Sequence, residues 1–210
     1  MTAKLESEDA AGLQECLAAG GVAVFPTDTV YGLCCDPENE SAARRLYELK
    51  GRPATRASAV MFFALETAMR ALGELPDSER LALQALLPGP VTVLLANRGP
   101  RFAPACRSDP ATLGLRVPRL HDGLAALGAV TRPVMQSSAN ISGQPDARML
   151  GEVTRSLLDG ADLVLDGGEL PGTPSTVIDL RDFDVERRWH VLREGPLSRD
   201  AAGELLAPLS

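Results

Sequence analysis

The chain has 210 residues, 45% of them hydrophobic and only 4% aromatic, and carries a formal net charge of −7. That length suits one α/β domain and is short for two, and with so few aromatics the core must be built from Leu, Val and Ala. The acidic balance counts against an extended grip on a nucleic-acid backbone, and the scarcity of aromatics counts against base-stacking platforms.

In chain order, Ala11 to Ala19 reads as a first helix stopped by Gly20-Gly21. Val22-Ala23-Val24-Phe25 follows as a buried strand, with Pro26 ending its ladder. PTDTVYGLCCDP comes next, rich in turn formers and hydroxyls. Asn39 or Ser41 can cap a second helix running to about Lys50. Ser58 to Ala64 reads as a strand, followed by helices near Glu66–Leu72 and Asp77–Leu87 and a strand at Val91–Ala96. The segment Phe102 to Asp109 reads as irregular. Further strands are expected at Leu113–Val117, Val134–Gln136, Leu163–Leu165, Ser175–Leu180 and Trp189–Leu192, before a closing helix from Ser198 to Leu206. Strands interleaved with helices indicate an α/β layered architecture. Short strands following one another late in the chain make the sheet mixed rather than purely parallel.

Cys16, Cys34, Cys35 and Cys106 lack zinc-ligand spacing, and with His121 and His190 as the only histidines no metal cage is expected. The cysteines read as small buried hydrophobes in a reducing cytosol. The opening MTAKLESEDA has no apolar run behind its charge, so no signal peptide is expected. No apolar stretch reaches the length of a membrane span. A cytoplasmic protein is the expectation.

Four polar clusters fall at element ends. Thr27-Asp28-Thr29 follows the first strand, where α/β enzymes present ligand-binding groups; taken alone it reads first as a turn in which Asp28 and Thr29 bond their own backbone. Lys50-Gly51-Arg52-Pro53 ends a helix on which Ala43, Leu46 and Tyr47 share a face, and Lys50 continues that face at i+3 and i+4. Lys50 either points into a polar cavity or answers the helix dipole. Ser137 to Gly143 follows an apolar strand and could form an anion nest, or simply a loop. It is neither a P-loop nor a GxSxG elbow. Thr112 and Arg116 share one face of a strand, with Ser175, Thr176 and Arg193 on later strands. An arginine so placed pairs with a carboxylate or phosphate, or forms a surface salt bridge. Hydroxyls and cations without histidine suit a triphosphate and an amino acid better than a hydrolase triad.

The strings GGVAVFPTDTVYGLCCDP, LYELKGRP, GLRVP, QSSANISGQPDA, PSTVIDL and VLREG occur in that order. From Gly20 to about Pro196 the chain resembles the YrdC family of threonylcarbamoyl-AMP synthases, whose pattern P-T-[DE]-T-V-Y-G-L, K-x-R-P and S-x-N it meets. The resemblance implies a single α/β domain with a twisted mixed sheet, flanking helices and a large, positively lined central cavity. It implies a YrdC-like catalytic domain over residues 8–196, with 197–210 as a C-terminal helix and tail, in the short form without an extra domain. It also implies the reaction: L-threonine, bicarbonate or carbon dioxide, and ATP give threonylcarbamoyl-AMP and pyrophosphate. The product then passes to a separate transferase complex that modifies transfer RNA.

By motif, Thr27 and Arg116 match positions that hold L-threonine, with Ser175 or Thr176 nearby. Lys50, Thr112, Ser138 and Arg193 match nucleotide or phosphate contacts, with Asn140 and Ser142 in the same loop. Lys50, Arg52, Ser138 and Asn140 form the implied catalytic set. Three departures stand out. Ala54-Thr55-Arg56-Ala57-Ser58 replaces the usual Pro-Leu after KGRP, Glu194 stands where a proline is common, and Asp146 replaces a frequent serine. The threonine carbamate is already anionic, so positioning and charge stabilisation suffice without a protein nucleophile. Mg²⁺ is expected to arrive with ATP, held mainly by phosphates and water. Two alternatives remain: a YciO-like paralogue with a different or weak acyl-adenylate activity, favoured by the changed segment, and a non-catalytic RNA-binding protein, disfavoured by the charge. Direct contact with transfer RNA is left open.

Overall fold

The computed structural model describes residues 4–53, 55–99 and 101–209. Met1–Ala3 of the opening stretch, Ala54 of the altered segment, Pro100 and Ser210 lie outside them. Helix α1 (Ser7–Ala18) begins before the expected Ala11, because the Asp9 carboxylate accepts the Glu6 N–H at 2.8 Å and closes an earlier first turn. Gly20, at φ +75°, ends it in the left-handed region that favours glycine. Strand β1 (Ala23–Phe25) runs into Pro26, and β2 (Gly32–Cys35) folds back on it antiparallel. The sequence reading has no strand inside PTDTVYGLCCDP. All four residues of β2 are buried, so no apolar–polar alternation marks it.

Asn39, rather than Ser41, caps α2 (Glu40–Leu49): its Oδ1 accepts the Ala42 N–H at 3.0 Å, and Lys50 is the residue at the helix end. Strand β3 (Ala59–Met61) is shorter than its apolar run, and α3 (Leu65–Leu72), α4 (Asp77–Leu86) and β4 (Val91–Ala96) lie close to their expected ranges. The segment expected to be irregular holds a one-turn helix, α5 (Ala103–Cys106), framed by Phe102 and Arg107, each at φ 54°. Strands β5 (Thr112–Arg116) and β6 (Val134–Ser138) are joined through a 3₁₀ stretch, Asp122–Ala129, that the sequence reading lacks. The remaining elements are α6 (Arg155–Gly160), β7 (Leu163–Val164), β8 (Thr176–Asp179), α7 (Phe183–Glu186), β9 (His190–Arg193) and α8 (Arg199–Leu206). Short helices α6 and α7 therefore separate late strands that were expected to follow one another directly.

The strands form one nine-stranded sheet in the order β7-β1-β2-β6-β3-β5-β4-β8-β9. The pairs β1–β7, β3–β5 and β4–β8 are parallel and the others antiparallel, so the sheet is mixed as expected. Its core is aliphatic with a few rings: Leu33, Val60, Met61, Val93 and Leu115 are fully buried, and Phe25 meets Phe63 edge-on with centroids 6.3 Å apart. Helix α8 packs on α4 and buries Ala202. Among the described residues, no helix is long and apolar enough to cross a membrane.

Candidate active site

A cavity of about 350 Å³ lies over one face of the central strands. That is within the range of small-ligand sites, which run from roughly 300 to 1,000 Å³. Its floor comes from Gln136 and Ser138 of β6, Ala59 of β3, Thr112, Gly114 and Arg116 of β5, and Thr92 and Leu94 of β4. Pro174, Ser175, Val177 and Arg193 close one side; Arg52, Ala57, Ser58 and Val30 close the other. Three guanidiniums, from Arg52, Arg116 and Arg193, thus border one space from three separate stretches of chain. Asp109 and Asp146 are the acids on the rim.

Arg116 is 2% exposed, so its charge must be matched internally. It is matched by Asp28: Nη2 donates to Oδ1 at 2.6 Å, and the carboxylate's other oxygen accepts the Arg119 N–H at 2.9 Å. The same Nη2 reaches the hydroxyls of Thr29 and, at 3.4 Å, Thr27. Burial lowers the Arg116 pKa and the Asp28 charge opposes that shift. Arg116 Nε is buried without a partner, and Nη1 makes no hydrogen bond among the described residues. The Thr27 hydroxyl donates to the Val30 carbonyl at 2.7 Å and accepts the Thr29 and Val30 N–H groups. The turn reading of Thr27-Asp28-Thr29 is therefore realised: the three side chains lie behind the cavity lining, and the turn holds Arg116 in place.

Lys50 is 2% exposed and does continue the buried face of α2. Its ammonium has three donors. They meet the Ser138 carbonyl, the Asn140 carbonyl at 2.8 Å and Asn140 Oδ1 at 3.2 Å. Ser138 Oγ donates to the same Oδ1 at 2.6 Å, and the Lys50 carbonyl accepts the Ser142 N–H at 3.0 Å. Burial, reinforced by the Arg52 charge and opposed by Asp146, holds the Lys50 pKa down at about 8. Lys50 thus sits behind the 138–140 loop that presents Ser138, and neither it nor Asn140 lines the cavity. Arg52 lies on the cavity side, donating to Ser137 Oγ at 2.7 Å and to the Ala57 carbonyl at 2.6 Å. The Tyr47 hydroxyl bonds Ser58 Oγ at 2.9 Å and the Arg56 carbonyl at 2.7 Å, so the altered segment is tied to α2 at the cavity edge.

On the far side Ser175 Oγ bonds Thr92 Oγ1 at 2.8 Å, and Arg193 donates from Nε and Nη2 to the Ser175 carbonyl. The Thr112 hydroxyl accepts from Arg181 Nη1 at 3.1 Å. Two of the singled-out residues turn elsewhere. Thr176 Oγ1 donates to the Leu197 carbonyl and accepts the Gly195 and Leu197 N–H groups, fastening the turn after β9. Ser142 is solvent-exposed at the loop tip. Sequence reading passed over Thr92 and Gln136, although strand period offered a signal for both: Thr92 alternates with buried Val91 and Val93, and Gln136 shares the face of Ser138.

The profile of the Sua5/YciO/YrdC family, described as "Telomere recombination", matches residues 15–195. The chain is 37% identical over 182 residues to the threonylcarbamoyl-AMP synthase of Xanthomonas campestris pv. campestris, covering 81% of the chain and 92% of that protein. It spans about half the length of two other curated relatives it matches, 48% of the threonylcarbamoyl-AMP synthase of Pyrococcus abyssi and 54% of that of Bacillus subtilis. In structure it superposes on P. abyssi Sua5 complexed with L-threonine at a TM-score of 0.81, with 29% identity, covering 96% of this chain and 58% of that one. On E. coli YciO the TM-score is 0.75, with 26% identity and 93% of each chain covered. A profile match over most of the chain, on this mixed sheet, makes the chain a member of the Sua5/YciO/YrdC family.

Proposed function

We propose that this chain is a threonylcarbamoyl-AMP synthase, acting on L-threonine, bicarbonate or carbon dioxide, and ATP. The threonine amine and bicarbonate condense to a carbamate with loss of water. A carbamate oxygen attacks the α-phosphorus, the α–β phosphate bond breaks, and pyrophosphate leaves with the electron pair. The observation that carries this reading is the convergence of Arg52, Arg116 and Arg193 on one cavity, in a chain whose relatives bear that name.

Arg116 holds the threonine carboxylate through Nη1, while Asp28, Thr27 and Thr29 keep the guanidinium pointed at it. Ser175 and Thr92 lie beside that end. Arg52, Ser138, Thr112 and Arg193 face the nucleotide, and Arg52 meets the charge developing on pyrophosphate. Lys50 was expected to touch phosphate directly; with its three donors spent on the 138–140 loop, it positions Ser138 and adds its charge from behind. The acids at the cavity, Asp109 and Asp146, are too few for a protein-built cage, since no group of three metal-binding side chains occurs among the described residues. That donor set fits Mg²⁺ carried in by ATP phosphates and water, where it would neutralise phosphate charge. The product is a mixed anhydride, and its consumer is a transferase complex acting on transfer RNA.

The assay is direct. Pure protein with ATP, Mg²⁺, bicarbonate and L-threonine is expected to release pyrophosphate and yield threonylcarbamoyl-AMP by mass, with both signals lost when threonine or bicarbonate is omitted. A second reading, a YciO-like enzyme with another acceptor, is favoured by the tethered segment from Thr55 to Ser58 at the cavity edge. Adenylate from a different amino acid but none from threonine would select it.

A further inference from the structure

Gln136 lies on β6 two residues before Ser138, so both side chains leave the same face of the sheet. It is 8% exposed and lines the cavity. Among the described residues its carboxamide makes no hydrogen bond to any other group. Its polar atoms are open to the cavity, and no step described above uses them.

Its direction says what it faces. A Cβ on Gly32 would come within 3.3 Å of Gln136 Oε1 and within 2.8 Å of the Phe25 ring. Gly32 therefore makes room chiefly for the Phe25 ring, and Gln136 Oε1 lies beside it, toward β2. The turn leading into β2 is the one whose Thr27 and Thr29 hold Arg116, and its Val30 lines the cavity. The carboxamide and the Arg116 guanidinium thus line one cavity. Between them the floor is bare: Ala59 pairs across from Gln136, and a Cβ on Gly114 would meet the Ala59 Cα at 3.4 Å.

We propose that Gln136 reads the β-hydroxyl of the bound amino acid and sets the preference for threonine over apolar isosteres such as valine. This rests on the proposed function and adds a specificity residue to it. A carboxamide offers both a donor and an acceptor, as a hydroxyl does. A site built to hydrogen-bond a hydroxyl penalises an analogue that lacks it, because the buried amide is then left unpaired.

The test compares wild type with Gln136→Met, which keeps the volume and removes the amide, and with Gln136→Leu in case the first variant folds poorly. Adenylate formation is measured with L-threonine and with L-valine, with melting temperature as the folding control. The expected result is a fall in kcat/KM for threonine of roughly 10- to 100-fold, mostly in KM, with the KM for ATP unchanged and the threonine-to-valine ratio collapsed. An unchanged ratio in a folded variant would overturn the proposal. So would a raised KM for ATP with threonine unaffected, which would put the amide on the base. Wild-type protein that makes adenylate from no amino acid would instead overturn the proposed function itself.

Discussion

Replacing Arg116 by Met is expected to reduce threonine-dependent adenylate formation by about 10³-fold or more and to lower stability by about 3–5 kcal/mol. Two separate causes act. The guanidinium supplies the charge at the amino-acid end of the cavity, next to the Thr27–Thr29 turn that holds it. It also neutralises Asp28: the side chains of the pair are 3% and 5% exposed, so removing one leaves the other charge buried and unmatched. The two losses separate in the double variant Arg116→Met, Asp28→Asn. Stability should return most of the way, because the uncompensated carboxylate is gone, while activity stays at the level of the single variant. Urea denaturation together with pyrophosphate release measures both. A double variant that regains activity would show that Arg116 serves the fold alone.

Lys50→Met is expected to slow turnover by about 10²- to 10³-fold, since a small misplacement of a catalytic group costs on the order of 10²-fold. Leaving the Ser138 and Asn140 carbonyls short of a buried donor should cost about 1–3 kcal/mol as well. Its pH behaviour gives an independent signature. With its pKa near 8 in the folded protein against an ordinary 10.5, Lys50 loses its proton as pH rises through about 8. The charge-assisted grip on the 138–140 loop weakens there, and activity should decline above that value. Stability moves the other way. Between about pH 8 and 10.5 the unfolded chain binds more protons at this site than the folded one, so the Lys50 contribution to stability rises with pH. Activity that falls while this contribution rises, with both trends absent in Lys50→Met, identifies the ammonium. Near-wild-type turnover in the variant would remove Lys50 from the site.

What was legible in the sequence is what local periodicity encodes. Lys50 declared itself because a helical stripe of Ala43, Leu46 and Tyr47 led to it, and Arg116 and Thr112 because strand period put them on one face. The order of strands and helices was readable for the same reason, and the mixed sheet followed. Strand β2 was not, because a strand buried on both faces shows no alternation. The partner of Arg116 was hidden as well: Asp28 lies 88 positions away, and only the sheet order brings them together. Thr92 and Ser175 likewise meet through the parallel β4–β8 pairing. Conversely, Thr176 and Ser142 looked like ligand hydroxyls because they sit among others. Their directions are set by a turn 21 residues on and by a loop tip, which composition does not record.

The most direct measurement of whether this cavity holds an amino acid beside a nucleotide is a crystal structure with L-threonine and a non-hydrolysable ATP analogue. The prediction is a threonine carboxylate about 2.7–2.9 Å from Arg116 Nη1, with phosphates beside Arg52 and Ser138. Ligands bound away from Arg116, with the Asp28 pair undisturbed and the cavity empty, would contradict it.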